Sequence, residues 1–219
     1  MAHAPPLRIA RIASTCYNVG VYEPSDDSFA LVDALRAEAA SWAARQPAVC
    51  AEIGCGSGYV ICSAALMLQD LGLRCACLAS DLSPHALTAT RQTLEQHGVG
   101  DHVDLVQTDL LAVLAAEQRI DLLLFNPPYV VTPDEEVTRG GIASAWAGGR
   151  DGRIVIDRLL AQLPRLLSPV GVLYMILVED NRPQEIIEAM RVRGFDGALV
   201  LTRRADEELL HVLRLTRSA

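Results

Sequence analysis

Residues 125–129 read Phe125-Asn126-Pro127-Pro128-Tyr129 and directly follow the apolar run Ile120-Asp121-Leu122-Leu123-Leu124. Each proline fixes its own φ and restricts the residue before it, so the carbonyls of this segment point in set directions. Asn126 adds a side-chain carbonyl acceptor, and Tyr129 adds a flat apolar face. Two acceptors beside an aromatic plane form a receptacle for a planar NH2 group, such as an amide or an exocyclic amine. The bland alternative is a rigid exit turn. Consecutive prolines rarely follow a central strand, which makes that the weaker explanation.

Three further sites carry chemistry-bearing residues. Ala51-Glu52-Ile53-Gly54-Cys55-Gly56-Ser57-Gly58 has the spacing G-x-G-x-G. A dinucleotide fingerprint needs glycine where Tyr59 stands, so the motif points away from NAD. A tight turn chosen for packing is its alternative. Asp81 ends the next β-like run, where an acid can accept from ribose hydroxyls or cap a helix beside Ser83. In Thr108-Asp109-Leu110, the Asp109 carboxylate is placed to accept from an adenine amino group and Leu110 to pack on the ring. A cap for a short helix starting at Leu110 is the rival there. Each acid alone is weak, but polar residues at several neighbouring strand ends mark where open α/β sheets bind ligands.

Other candidates stay with their ordinary explanations. His3, His85, His97, His102 and His211 are scattered, and Ser57 is not in a G-x-S-x-G elbow. Asp134-Glu135-Glu136 reads as a solvated loop face. Cys75 and Cys77 alternate along a strand and share one face as packing.

The elements that must hold these residues alternate between β-like runs and helical patterns, the signature of a parallel sheet covered on both faces. Ser25-Asp26-Asp27 offers caps for a helix with Val32, Leu35, Ala39 and Trp42 on one side, ended by Pro47. Strands are expected at Val49–Ile53, Cys75–Ser80, Val103–Gln107, Ile120–Phe125 and Val170–Val178. Helices fall between them: one through Val60, Ala64, Leu66 and Met67, and one opened by Ser83-Pro84 with Leu87 and Leu94 inward. Another spans 154–167, with Pro164 kinking or stopping it, and the last is Pro183–Arg193, ended by Gly194. Ala198–Thr202 and Leu209–Thr216 form an antiparallel pair at the sheet edge. The stretch between Tyr129 and Arg153 has little periodicity. A loop that long inside a compact domain is usually functional, and this one is expected to wall the substrate site.

Composition bounds the function class. The 219 residues suffice for one domain with a real core, and half of them are apolar. A net charge of −8 weighs against affinity built on phosphate neutralisation, so nucleic acid is not the expected partner. All 19 basic residues are Arg. The six cysteines form no Cys-x-x-Cys pair, which suggests buried thiols in a reducing compartment. The longest apolar run, Val172–Val178, is too short to span a bilayer, so no membrane is expected.

Taken together, these residues resemble the class I S-adenosylmethionine-dependent methyltransferases, and within them the eukaryotic release-factor glutamine methyltransferases. The resemblance rests on Val21-Tyr22-Glu23-Pro24-Ser25-Asp26-Asp27-Ser28-Phe29, the glycine motif, Thr108-Asp109-Leu110, 125–133 and 145–153. It implies a Rossmann-like doubly wound sheet of seven strands, mostly parallel with an antiparallel terminal hairpin. Residues 1–20 are then a flexible leader and 21–219 a single catalytic domain. S-adenosylmethionine is the implied cofactor. Ser28 (often Thr in the family) and the backbone near Glu52, Gly54 and Gly56 would hold its methionine end. Asp81 would bind its ribose, and Asp109 with Leu110 its adenine. Asn126, Pro127, Pro128 and Tyr129 would bind the acceptor amide, with Asn126, Pro127 and Tyr129 catalytic and Asn126 also near the cofactor. No metal is expected in the chain. A small zinc-binding activator subunit is implied as heterodimer partner, and a cytoplasmic or also nuclear location. The rivals are a histone lysine methyltransferase, an adenine-amino methyltransferase and a catalytically silent scaffold.

Overall fold

A computed structural model describes residues 6–17, 20–112, 119–205 and 208–218. Seven strands make one sheet: β1 Val49–Ile53, β2 Ala76–Asp81, β3 Val103–Gln107, β4 Ile120–Phe125, β5 Leu167–Val178, β6 Phe195–Ala205 and β7 Glu208–Arg217. Their order is β3-β2-β1-β4-β5-β7-β6. The first five run parallel, and β7 pairs antiparallel with both β5 and β6. The expected sheet, with its terminal hairpin, is the observed one.

The helices are α1 Asp26–Arg45, α2 Tyr59–Asp70, α3 Pro84–Gln96, α4 Asp134–Val137, α5 Ile154–Leu166 and α6 Pro183–Val192. Alternation along the strands sorts the core into two layers, since successive side chains leave opposite faces. Cys50, Leu122, Leu124, Tyr174 and Ile176 pack with α1 and α2. Ala51, Leu123, Phe125, Leu173 and Met175 pack with α5 and α6. Strands buried on both sides are apolar throughout, which is why β4 and β5 read as continuous apolar runs. Cys75 and Cys77 share the α1–α2 face, and every cysteine is free.

Several expectations shift. β6 is longer than Ala198–Thr202, and β5 begins at Leu167 rather than Val170. Helix α5 runs two residues past Pro164 and passes into β5 at once, so the proline marks the last turn rather than a kink. No helix starts at Leu110, whose φ of +52° is left-handed, while residues 113–118 lie outside the described set. The segment expected to be a loose leader is anchored over 6–17. Arg8 pairs with Asp70, Ala10 N–H donates to Ser63 Oγ at 3.0 Å and Cys16 N–H to Thr93 Oγ1 at 2.8 Å. Its hydrogen bonds go to side chains on α2 and α3, which leaves no periodic trace in its own sequence.

Candidate active site

β1 delivers Glu52 and Ile53 into the turn Gly54-Cys55-Gly56-Ser57-Gly58, whose three glycines all have positive φ. At Gly54 an added Cβ would meet nothing nearer than Phe125 at 4.0 Å, and at Gly56 nothing within 4 Å. Their hydrogens leave room beside the bend. Gly58 differs: a Cβ there would lie 2.9 Å from Thr90 Cα. Close packing of the bend on α3 therefore requires that glycine.

Glu52 is buried, and its Oε2 accepts from Ile61 N–H at 2.8 Å, closing the open first turn of α2. Desolvation holds its carboxyl well above the usual glutamate range, against the lowering effect of that bond. Asp81 sits at the end of β2. Its Oδ2 accepts from Gly56 N–H at 3.0 Å and its Oδ1 from Ser83 N–H at 2.8 Å. Burial again raises its pKa, with the backbone bonds opposing. The cap of α3 is Ser83, whose Oγ accepts from Ala86 N–H, so Asp81 instead ties the glycine bend to the helix approach, and each of its oxygens keeps acceptor capacity for a hydroxyl. After β3, Leu110 is buried in its left-handed conformation, and its carbonyl accepts from Ser80 Oγ at 3.0 Å. A non-glycine residue held there marks backbone constrained by its surroundings. Asp109 pairs with Arg158 of α5.

These pieces wall one cavity of about 690 Å³, a size suited to a small-molecule cofactor. Ser28, Glu52, Gly54, Gly56, Asp81, Asp109, Leu110, Asn126, Pro127 and Pro128 all line it. The loop after the hook contributes Val137, Thr138, Gly140, Gly141 and Ala145, as its position predicts. Asn126 is half-buried, and its Oδ1 is buried with no hydrogen-bond donor facing it. A buried acceptor left unpaired costs about 1–3 kcal/mol. An N–H meeting that oxygen once the carboxamide turns toward the cavity would remove that cost.

Tyr129 departs from expectation. It is not part of the cavity wall. Its hydroxyl lies 3.4 Å from Asp27 Oδ2, and burial raises its pKa strongly. Asp27 is itself buried and lines the cavity, and its Oδ1 accepts from Ser28 N–H and Ser28 Oγ. Tyr22, another lining residue, has its pKa pushed up to about 12 by burial and by Asp27.

Arg158 escaped the sequence reading, and Asp27 was read only as a candidate cap, although it lies within the first turn of α1 after the N-cap Ser25. Asn181 escaped as well. Its Nδ2 donates to Tyr129 O at 2.9 Å, from a polar stretch that reads as an ordinary loop. The repeated glycines of 145–153 were the available signal for the hook's support. An added Cβ at Gly148 would lie 2.6 Å from Pro128 O, and one at Gly152 only 1.9 Å from Tyr129 O.

Comparison with known proteins agrees with this geometry. The family model "Methyltransferase small domain" matches residues 27–193. Methyltransferase HEMK2 of Mus musculus is 45% identical over 90% of both chains. The eRF1 methyltransferase catalytic subunit mtq2 of Schizosaccharomyces pombe is 38% identical over 90% of this chain and 89% of its own. Among solved structures, a chain of the E. cuniculi Mtq2-Trm112 complex superposes with a TM-score of 0.65 at 25% identity. That match covers 91% of this chain and all of the other.

Proposed function

The chain belongs to the Methyltransferase small domain family, and from that premise we propose that it transfers a methyl group from S-adenosylmethionine to a glutamine side-chain amide of a translation release factor. The observation that carries the proposal is the Asn126 Oδ1 atom, buried at the cavity wall without a donor. The names of the similar mtq2 and release-factor glutamine methyltransferase chains support the substrate.

S-adenosylmethionine supplies a methyl carbon already activated by the adjoining sulfonium charge. The chain's own task is to bind, orient and desolvate the acceptor. An amide nitrogen is a poor nucleophile because its lone pair is delocalised. Asn126 Oδ1 and the Pro127 carbonyl accept its two N–H bonds and hold the nitrogen face outward. The Asn126 carboxamide can turn to do this, since its terminal torsion is broad. Orientation and water exclusion then carry the rate. As the N–C bond formed, the sulfonium S–C bond would break to release the neutral thioether. The surplus amide proton would pass to water after transfer, so no group titrating near neutrality is needed. Gly54 and Gly56 would leave room for the cofactor's methionine end beside Ser28 and Glu52, Asp81 would accept from the ribose, and Asp109 with Leu110 would meet the adenine.

A small partner subunit, bound as in the E. cuniculi complex and carrying zinc as the family resemblance implies, completes the enzyme. A cytoplasmic location follows from a translational substrate. The test is transfer from labelled S-adenosylmethionine to release factor, histone and duplex DNA, with and without Asn126→Ala. Label on a release-factor glutamine, lost in the variant while calorimetric cofactor affinity stays within about twofold, is the expected result. Label on histone or DNA alone, or full activity in the variant, overturns the proposal.

A further inference from the structure

Asn181 has none of its surface exposed and ends the 3-10 turn Glu179–Asn181 that follows β5. Its Oδ1 accepts from Val178 N–H at 2.8 Å. Its Nδ2 donates to Tyr129 O at 2.9 Å and to Asp151 O at 3.0 Å. One carboxamide therefore joins the exit of β5, the exit of the Asn-Pro-Pro-Tyr hook and the loop behind it. Both N–H groups and the carbonyl are used.

The backbone around this junction is unusually constrained. Asp151 has φ +57° and Arg182 +54°, and non-glycine residues persist there where their surroundings overdetermine them. Gly152 lets its chain pass so close that an added Cβ would lie 2.5 Å from Asn181 Nδ2. The hook is stiff from the other side too, because Pro127 and Pro128 lack φ freedom. Fixing the Tyr129 carbonyl leaves the segment from Asn126 to Pro128 very few ways to move.

We propose that Asn181 is a positioning residue for the methyl acceptor, clamping the hook so that the Asn126 and Pro127 oxygens keep their spacing. This rests on the role given to Asn126 above. Asn181 does not line the cavity. It acts through Tyr129, from the turn after β5, the strand that neighbours β4, some fifty residues further along the chain.

The test uses the full chain, with its partner subunit where turnover needs one, as Asn181→Asp and Asn181→Ser. Serine removes the donors without adding charge. Aspartate sets an oxygen against two carbonyls. The measurements are kcat and KM for the acceptor, calorimetric cofactor affinity and the melting midpoint, with kinetics run well below that midpoint.

A loss of kcat of about 10- to 100-fold is expected for both, because small misplacements of reacting groups cost that much. Cofactor affinity should stay within twofold. A buried carboxyl facing carbonyls has a raised pKa, and its protonated form donates one hydrogen bond. The ratio of Asn181→Asp to wild-type kcat should therefore climb between about pH 8 and about pH 5.5, with no such climb for Asn181→Ser. Unchanged kcat in both variants, a loss matched by lost cofactor affinity, or a flat pH ratio for Asn181→Asp overturns the inference. Wild-type turnover separates this from the substrate proposal. If the wild type acts only on lysine or adenine, the glutamine assignment fails, and the same kcat comparison on that acceptor still decides the role of Asn181.

Discussion

Glu52 illustrates how a single residue trades stability for a site. Only 2% of its surface is exposed, and its one hydrogen bond to Ile61 N–H does not offset desolvation. The folded chain holds a proton that the unfolded chain releases. Stability therefore falls as pH rises from the unfolded pKa of Glu52 through its raised folded pKa. Glu52→Gln keeps an acceptor for Ile61 and abolishes that slope. The variant should melt higher than wild type above this window, with the gap closing as pH drops to the unfolded value. Scanning calorimetry across pH reads it directly. A variant that melts lower at every pH would show that the buried carboxyl is no burden.

At the scale of elements, the glycine bend couples β1 to α2 and α3, and its glycines are not equivalent. Gly58→Ala meets two penalties: a left-handed φ of +79° and a Cβ 2.9 Å from the Thr90 backbone. Gly72→Ala at φ +69° meets only the first, having nothing within 4 Å. Left-handed strain costs roughly 1–2 kcal/mol, and overpacking adds about 1–3 kcal/mol. Denaturant titration should therefore show Gly58→Ala losing clearly more stability than Gly72→Ala, and only the former should also weaken cofactor binding. Equal losses would mean that Thr90 yields. What the sequence revealed at this scale follows from the range of the interactions. β4 and β5 were legible because strands buried on both faces are apolar throughout. The hook was legible because proline geometry is local. Asn181 was not, since its partners Tyr129 and Asp151 lie far away in sequence and meet it only once β4 and β5 are neighbours. Asp27 was half legible: its Oδ1 serves the neighbouring Ser28 N–H in the first turn of α1, and its Oδ2 faces Tyr129, 102 positions along the chain. Tyr129 was assigned to the acceptor site from its ring alone, but its hydroxyl turns it toward that carboxylate.

For the whole molecule, the segment 6–17 joins a fold whose site lies elsewhere. Ala10 and Thr15 are buried, and Arg11 N–H donates to His97 Nε2 at 2.8 Å. Ser63 and Thr93, which accept from the segment, are fully buried hydroxyls that would lose those partners. The Arg8–Asp70 pair is exposed and adds little on its own. Each ordinary hydrogen bond contributes about 1 kcal/mol net, and ordering the segment offsets part of the sum. Deleting residues 1–17 should thus cost on the order of 2 kcal/mol, or roughly 4–8 °C in melting midpoint for a chain of this size. Because the cavity wall begins, among the described residues, at Gly20, kcat measured well below the new midpoint should remain near wild type while the midpoint falls. A truncated chain that melts as before would show that the segment adds no net stability. One that keeps its midpoint but loses kcat would tie the amino-terminal segment to the site itself.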